Sequence, residues 1–306
     1  MDEWTFINWL REHAGRRSDP RVKVGIGDDM AILDLAGQTV LLGSDMLVEG
    51  IHFDLGKVSA RQIGRKALGV CLSDCAAMAA EPSAALVSFS KPKSMPVDVL
   101  QQFYEGLVEI ADEFDCPLVG GDSCAGSDQL VVDVALLAVS NGVGPVLRSG
   151  AIPGDWLYVT GKLGGSILEK HFSFVPRIRE ARRLTANLPV HAMIDLSDGM
   201  SVDVQHLCRE SHCGAELTET LLENVISPAA RQLSDRTGRS PLDHALNDGE
   251  DFELLVAIGL APQDVPALPE KTDLFPVGKV IDAQGVHLVT QAGTRRPVPP
   301  RGYRHF

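Results

Sequence analysis

A chain of 306 residues with 44% apolar composition has room for one large domain or two ordinary ones and can supply a real core, which excludes a disordered polymer. With 28 Lys and Arg against 41 Asp and Glu, the net charge of −13 argues against nucleic acid or an anionic membrane surface as a partner. Phosphates stay open, because divalent cations can sit between an acidic protein and a polyphosphate.

In chain order, Trp4, Ile7 and Leu10 fall at helical spacing and predict a short amphipathic helix. Acids precede its apolar residues and no h-region with a cleavage site follows, so it does not read as a secretory signal. Strands are expected over 39–45, 83–90, 116–122 and 129–140, each short, β-rich and bounded by Gly, Asp or Ser. The apolar run inside the last one is too short to span a bilayer and is broken by Asp133. Between the strands lie two helical patterns. The first opens with Ser59 and Gln62, a capping box, and carries Ile63, Ala67, Val70, Cys71, Cys75 and Met78 on one apolar stripe; the second follows Pro96.

The Gly- and Pro-rich stretch 141–161 places a domain boundary near 145, giving domains 1–145 and 146–306. Beyond it a strand at 156–160, helices around 176–187 and 198–210, and strands near 192–195, 251–258 and 273–279 are expected. Strands do not alternate strictly with helices. The fold class is therefore α/β of the mixed α+β kind, two domains each built on a mixed sheet with helices packed on it. The six cysteines contain no C-x-x-C pair and read as reduced, mostly buried thiols. The chain is expected to be soluble and cytoplasmic.

An Asp or Glu recurs beside Gly or Ser at the end of apolar segments: "GIGDD" at 25–29, "GSDM" at 43–46, "LSDC" at 72–75, "GGDS" at 120–123, "MIDLSDG" at 193–199 and "NDGEDFEL" at 247–254. Any one of these alone is an ordinary turn or cap. Asp74 is more informative, because it sits in a helix pattern between Leu72 and Cys75, where a carboxylate is costly unless paired or metal-bound. Two such charges about 5 Å apart at an effective dielectric of about 20 repel by roughly 3 kcal/mol, so a convergent set calls for cations. Mg²⁺ suits it, since it takes few carboxylates and completes its octahedron with water and phosphate oxygens. Glycines at 25, 27, 120 and 121 let backbone N–H groups approach an anion, and Arg148 and Lys66 are candidate phosphate cations. Neither a Walker-type nor a Rossmann glycine motif is present. His52 is the one histidine in a motif-like setting, and no nucleophile-plus-base group stands out, as suits an acceptor that is already anionic.

The stretches "VGIGDDMAIL", "GSDMLVEGIHF", "IGRKALGVCLSDCAAMAAEP", "LVGGDS", "LRSGAIPGDWLYVTGKLG", "AMIDLSDGMSVDVQHL", "GEDFELL" and "RGYRHF" resemble, in this order, the motifs of the thiamine-monophosphate kinases, a family of the aminoimidazole ribonucleotide synthetase superfamily. The resemblance implies direct transfer of the ATP γ-phosphoryl group to thiamine monophosphate, giving thiamine diphosphate and ADP. It also implies a homodimer whose N-terminal sheets join in a barrel-like interface. By motif position Asp28, Ser44, Asp45, Asp74, Asp122, Asp195 and Asp198 correspond to magnesium ligands, Gly121, Arg148, Ser197 and Tyr104 to ATP contacts, and His52, Glu250 and Tyr303 to contacts with the thiamine phosphate. No catalytic base is implied, only positioning and metal assistance. The sequence departs from the usual motifs at Cys71, Cys75, Ala79 and Asp248, and the stretch 164–184 is shorter than usual. Those departures touch the pocket wall, which keeps open a superfamily relative that uses the same Mg-ATP site on another acceptor. A non-catalytic calcium- or nucleotide-binding module lacks the D-x-D-x-D-G loop expected of it.

Overall fold

The computed structural model describes residues 3–14, 19–140, 142, 144–168, 170–270 and 272–303, without the side chains of 3, 4, 13 and 14. The last three residues of the "RGYRHF" motif, Arg304, His305 and Phe306, lie outside the described residues, as do Asn141 and Val143 in the glycine- and proline-rich stretch.

The first sheet holds β1 (Val22–Val24), β2 (Ala31–Leu35), β3 (Gln38–Val48), β4 (Glu81–Lys91), β5 (Leu118–Ala125) and β6 (Val131–Val139), in the order β1-β2-β3-β6-β4-β5. The second holds β7 (Trp156–Val159), β8 (Val190–Asp195), β9 (Gly214–Thr218), β10 (Leu254–Ile258), β11 (Phe275–Ile281), β12 (Gly285–Val289) and β13 (Arg295–Pro297), in the order β13-β12-β9-β11-β7-β10-β8. Most neighbours are antiparallel, but β4 pairs β5 and β12 pairs β9 in parallel, so both sheets are mixed, as the sequence suggested. The helices are α1 (Glu3–Ala14), α2 (Ala60–Ala77), α3 (Val97–Glu113), α4 (Lys170–Ser173), α5 (Ile178–Asn187), α6 (Met200–Glu210), α7 (Glu219–Leu222), α8 (Pro228–Thr237) and α9 (Pro241–Asn247).

α2 starts where expected, with the Ser59 side chain accepting from Gln62 N and the Gln62 side chain returning to the cap. It crosses α3 so closely that a Cβ on Gly64 would lie 1.8 Å from the Phe103 carbonyl oxygen, and one on Gly106 would lie 1.9 Å from that of Arg61. The glycines are thus a reciprocal requirement of backbone contact. On its other sides α2 packs on β3, β6, β8, α4 and α5, which makes it the element common to both sheets.

The hydrophobic core follows α2. Leu68, Leu72 and Cys75 join Leu41, Val132 and Val134 of the first sheet to Phe172, Phe174, Met193, Phe252 and Leu254 of the second half in one buried cluster. A second cluster lies on the far face of the second sheet, where Leu157, Ile194 and Leu255 meet Leu207 of α6 and Ala245 of α9. The second sheet is therefore buried on both faces, with Met193 and Leu254 on one side and Ile194 and Leu255 on the other.

Two expectations need correction. The strand placed over 251–258 begins at Leu254, because Glu250 and Phe252 adopt left-handed φ of 52° and 48° and make a turn that no strand tolerates. Lys66 is neither a phosphate cation nor a solvated surface charge: its side chain is fully buried and ion-paired. Of the cysteines Cys71, Cys75, Cys116, Cys208 and Cys213 are buried and unbridged, while Cys124 is exposed.

Candidate active site

Asp195 is the last residue of β8, Asp74 projects from the C-terminal end of α2, and Asp29 stands in the loop before β2. Carboxylate oxygens of these three lie within 4.8 Å of one another. Ser73 Oγ donates to Asp195 Oδ2 at 2.6 Å, and Arg148 Nη2 donates to Asp29 Oδ1 at 2.5 Å. Asp45 joins from β3, where Leu41, Gly43 and Leu47 alternate with exposed residues and face the helix; Asp45 is the charged member of that inward set.

Crowding like charges in a buried place shifts their titration. Burial, and then the Asp29 charge, pushes Asp28 up to about 6 and Asp195 up to about 7. Asp74 is held well above the ordinary aspartate range by burial and then by Asp45 and Asp195, and Asp45 is raised chiefly by burial. Arg148 offsets them: burial alone would lower it, but the neighbouring Asp29 carboxylate holds it above its ordinary value. Three polar atoms here have no hydrogen-bond partner among the described residues, Asp29 Oδ2, Asp45 Oδ2 and Arg148 Nε. The two carboxylate oxygens are acceptors suited to a hard cation and the Arg148 nitrogen is a donor suited to an anion.

These groups open onto a cleft of about 500 Å³ between the two sheets. From the sequence-based set, Asp45, Asp74, Asp195 and Asp198 line it together with Ser197, His52, Glu250 and Tyr303. His52 sits in the turn after β3; its Nδ1 accepts from Val48 N at 3.0 Å, which leaves the proton on Nε2. Tyr303 is brought back by a hydrogen bond from its backbone N to Asp198 O at 3.0 Å, and its ring lies 6.5 Å from that of His52. The turn carrying Glu250 is bolted to residues 164–166: Gly164 N donates to Asp251 at 2.9 Å, Gly165 N to Asp248 at 2.9 Å, and Ser166 Oγ to Gly249 O at 2.6 Å.

Asp28 and Arg148 are near neighbours of the cluster, with Arg148 N donating to the Asp28 carboxylate at 3.3 Å. Ser44, Gly121, Asp122 and Tyr104 are not among the cleft-lining residues. Ser44 and Asp122 are exposed on the outer face of the first sheet, where Asp122 pairs across from Ser88. Gly121, at φ 148°, leaves no space for a Cβ, which would lie 1.8 Å from Val87 O, so its bare backbone serves the β4–β5 pairing. Tyr104 is half-buried, edge-on to Phe89 and Phe103.

Sequence reasoning passed over Asp29, although the adjacent pair of carboxylates was visible. It also missed a second group, Asp203 and His206 with Asp198, whose ligand atoms lie within 4.8 Å of one another. The available signal was the i, i+3 spacing of Asp203 and His206, which puts both on one face of α6. Asp203 accepts from Gly199 N at 3.0 Å, and burial, then the Asp198 charge, raises it well above the usual range.

Comparison with known proteins adds the following. Residues 27–140 match the family described as AIR synthase related protein, N-terminal domain. The thiamine-monophosphate kinase of Rhodopirellula baltica is 38% identical, covering 99% of this chain and 97% of its own. That of Escherichia coli K12 is 32% identical over 79% of this chain and 78% of its own. Among solved structures, AaThiL complexed with AMPPCP and TMP superposes with a TM-score of 0.85 at 27% identity, covering 100% of this chain and 97% of that one.

Proposed function

The chain belongs to the thiamine-monophosphate kinase family, and from that premise we propose that it transfers the γ-phosphoryl group of ATP to thiamine monophosphate, giving thiamine diphosphate and ADP. The observation that carries this reading is the convergence of Asp29, Asp74, Asp195 and Asp45 at one end of a cleft whose other walls present His52, Glu250 and Tyr303.

An all-oxygen donor set with an unpartnered Asp29 Oδ2 fits magnesium, and Asp28, Asp45, Asp74, Asp195 and Asp198, with Asp29 added, are the residues that would hold it. Ser44 and Asp122 stand apart, and their assignment as ligands rests on motif position. When bound, magnesium screens the phosphate charges from one another. Arg148 offers its unpaired Nε–H to a phosphate oxygen, beside Ser197 as a further nucleotide contact. Gly121 and Tyr104 complete the proposed nucleotide set on motif position alone. His52, Glu250 and Tyr303 orient the acceptor so that its phosphate oxygen approaches the γ-phosphorus in line. The new P–O bond forms as the bond to the β,γ-bridging oxygen breaks, and ADP departs with the electron pair. A phosphate monoester is already anionic near neutral pH, so no general base is needed.

We propose domains at 1–145 and 146–306 and a homodimer formed through the outer face of the first sheet, where Leu42, Met46, Leu86 and Leu137 stand exposed. Among the described residues no helix is long and apolar enough to cross a membrane, in keeping with a cytoplasmic enzyme. A coupled assay across a panel of phosphorylated acceptors tests the assignment: ADP release requires both Mg²⁺ and thiamine monophosphate. Release indifferent to thiamine monophosphate but driven by another acceptor sinks the acceptor assignment, and nucleotide binding without turnover sinks the enzyme reading.

A further inference from the structure

We infer that Lys66 and His171, neither of which lines the cleft, are positioning residues that aim the Glu250 carboxylate at the acceptor. The inference rests on the proposed function for the identity of that acceptor, and on geometry for the rest.

Both oxygens of Glu250 are held from behind. Lys66 Nζ, from α2, donates to Oε1 at 2.5 Å, and His171 Nδ1, from α4, lies 2.9 Å from Oε2. An ionised carboxylate only accepts, so the histidine proton sits on Nδ1. Burial alone would raise Glu250, but the His171 hydrogen bond and the Lys66 charge outweigh it and hold the group below the ordinary glutamate range. The backing pair is itself fixed. Lys66 lies 5.0 Å over the Phe172 ring, and the His171 ring contacts the same ring at 3.9 Å between centroids.

A buried lysine needs a counter-charge, but a plain counter-ion would be buried with it. Here the Lys66 side chain is 0% exposed while that of Glu250 is 31% exposed, so the carboxylate reaches past its partners into the cleft. Each carboxylate has about four acceptor sites, and the two taken from behind leave the others for a ligand. The backbone agrees. Glu250 is held at φ 52°, a left-handed conformation unfavourable for a non-glycine residue, and it persists because its N donates to Ser197 O at 2.6 Å while its neighbours are tied to residues 164–166.

Lys66 does a second thing. The same ammonium donates to the His52 carbonyl at 3.0 Å. His52 and Glu250 come from opposite halves of the chain, and one buried cation therefore sets the spacing of two walls of the acceptor pocket.

The test pairs steady-state kinetics with crystallography on full-length His171→Leu, His171→Gln and Lys66→Met. In His171→Leu the KM for thiamine monophosphate is expected to rise about tenfold or more while that for ATP stays within about twofold. His171→Gln, whose amide can still donate to Oε2, is expected to recover most of that loss, which lost packing alone would not predict. The crystal structure of His171→Leu should show the Glu250 carboxylate swung away from its wild-type position. Equal rises in both KM values, or a Glu250 that has not moved, would overturn the inference. If Lys66→Met does not fold, the two His171 variants carry the test. Should the wild-type enzyme ignore thiamine monophosphate, the functional reading fails by itself, and the position of Glu250 in the His171→Leu crystal still decides the positioning claim.

Discussion

Asp74 illustrates how a single side chain can oppose folding and serve chemistry. Its neighbours are apolar on one side and carboxylates on the other, so Asp74→Asn removes a repulsive charge from a protected place. Turnover is expected to fall at least about a hundredfold, with thermal stability of the metal-free protein unchanged or higher by about 1 kcal/mol. An active Asp74→Asn enzyme would contradict the assignment. The raised carboxylates also fix a pH dependence. Asp28, at about 6, and Asp195, at about 7, sit above their unfolded values near 4, so they favour the folded state while protonated. That contribution is complete below about pH 4 and disappears as pH climbs through 6 and 7. Without metal, the melting temperature is expected to drop by at least about 2 °C between pH 5 and pH 8, and Mg²⁺ should flatten the slope. Asp251, raised to about 7 mainly by burial and tied to Gly164 rather than to the cluster, should keep part of the slope when Mg²⁺ is present. Differential scanning fluorimetry at several pH values measures both. At this scale the sequence exposed most of the carboxylates but, assigning Asp28 by motif position, gave no role to Asp29. Adjacent residues differ only in the direction they face, and that is decided by Arg148, which is 119 residues away from Asp29 in the chain.

At the scale of elements, local signals were reliable where they were complete. The Ser59–Gln62 box set the start of α2, and the apolar stripe of α2 is the stripe that is buried. Ser227–Pro228 and Ser240–Pro241 are equally readable starts for α8 and α9, with serine accepting from Ala230 N and Asp243 N, yet both were passed over because the helices are short and polar. β12 and β13 are short strands at the end of the second sheet, whose pairing is decided by non-local partners. The α2–α3 crossing was invisible for the same reason: a glycine in a helix reads as a weakness until its neighbour is known. Helix propensity alone says that Gly64→Ala should stabilise by about 1 kcal/mol. Contact with the Phe103 backbone says otherwise, because a carbonyl cannot rotate away as a side chain can. Gly64→Ala and Gly106→Ala are each expected to destabilise by about 1–3 kcal/mol in urea titrations. A gain in stability would show that the helices separate freely.

For the whole molecule, the continuous core makes a specific claim about cooperativity. Residues on both sides of the proposed boundary near 145 bury one another around α2, so the protomer should unfold in one transition rather than two. Coincident denaturation curves from fluorescence and circular dichroism check this, and separate midpoints would refute it. The exposed apolar residues on the outer face of the first sheet bear on assembly: Leu86→Lys is expected to shift the sedimentation coefficient from dimer to monomer. β3 belongs to both stories. Leu42 and Met46 point outward, toward the proposed partner, while Leu41, Asp45 and Leu47 point inward. Deleting or inserting one residue between positions 41 and 47 would exchange the two sets, hiding leucine where a carboxylate is wanted and turning aspartate toward the neighbour. Such a strand can vary in its letters but not in its length.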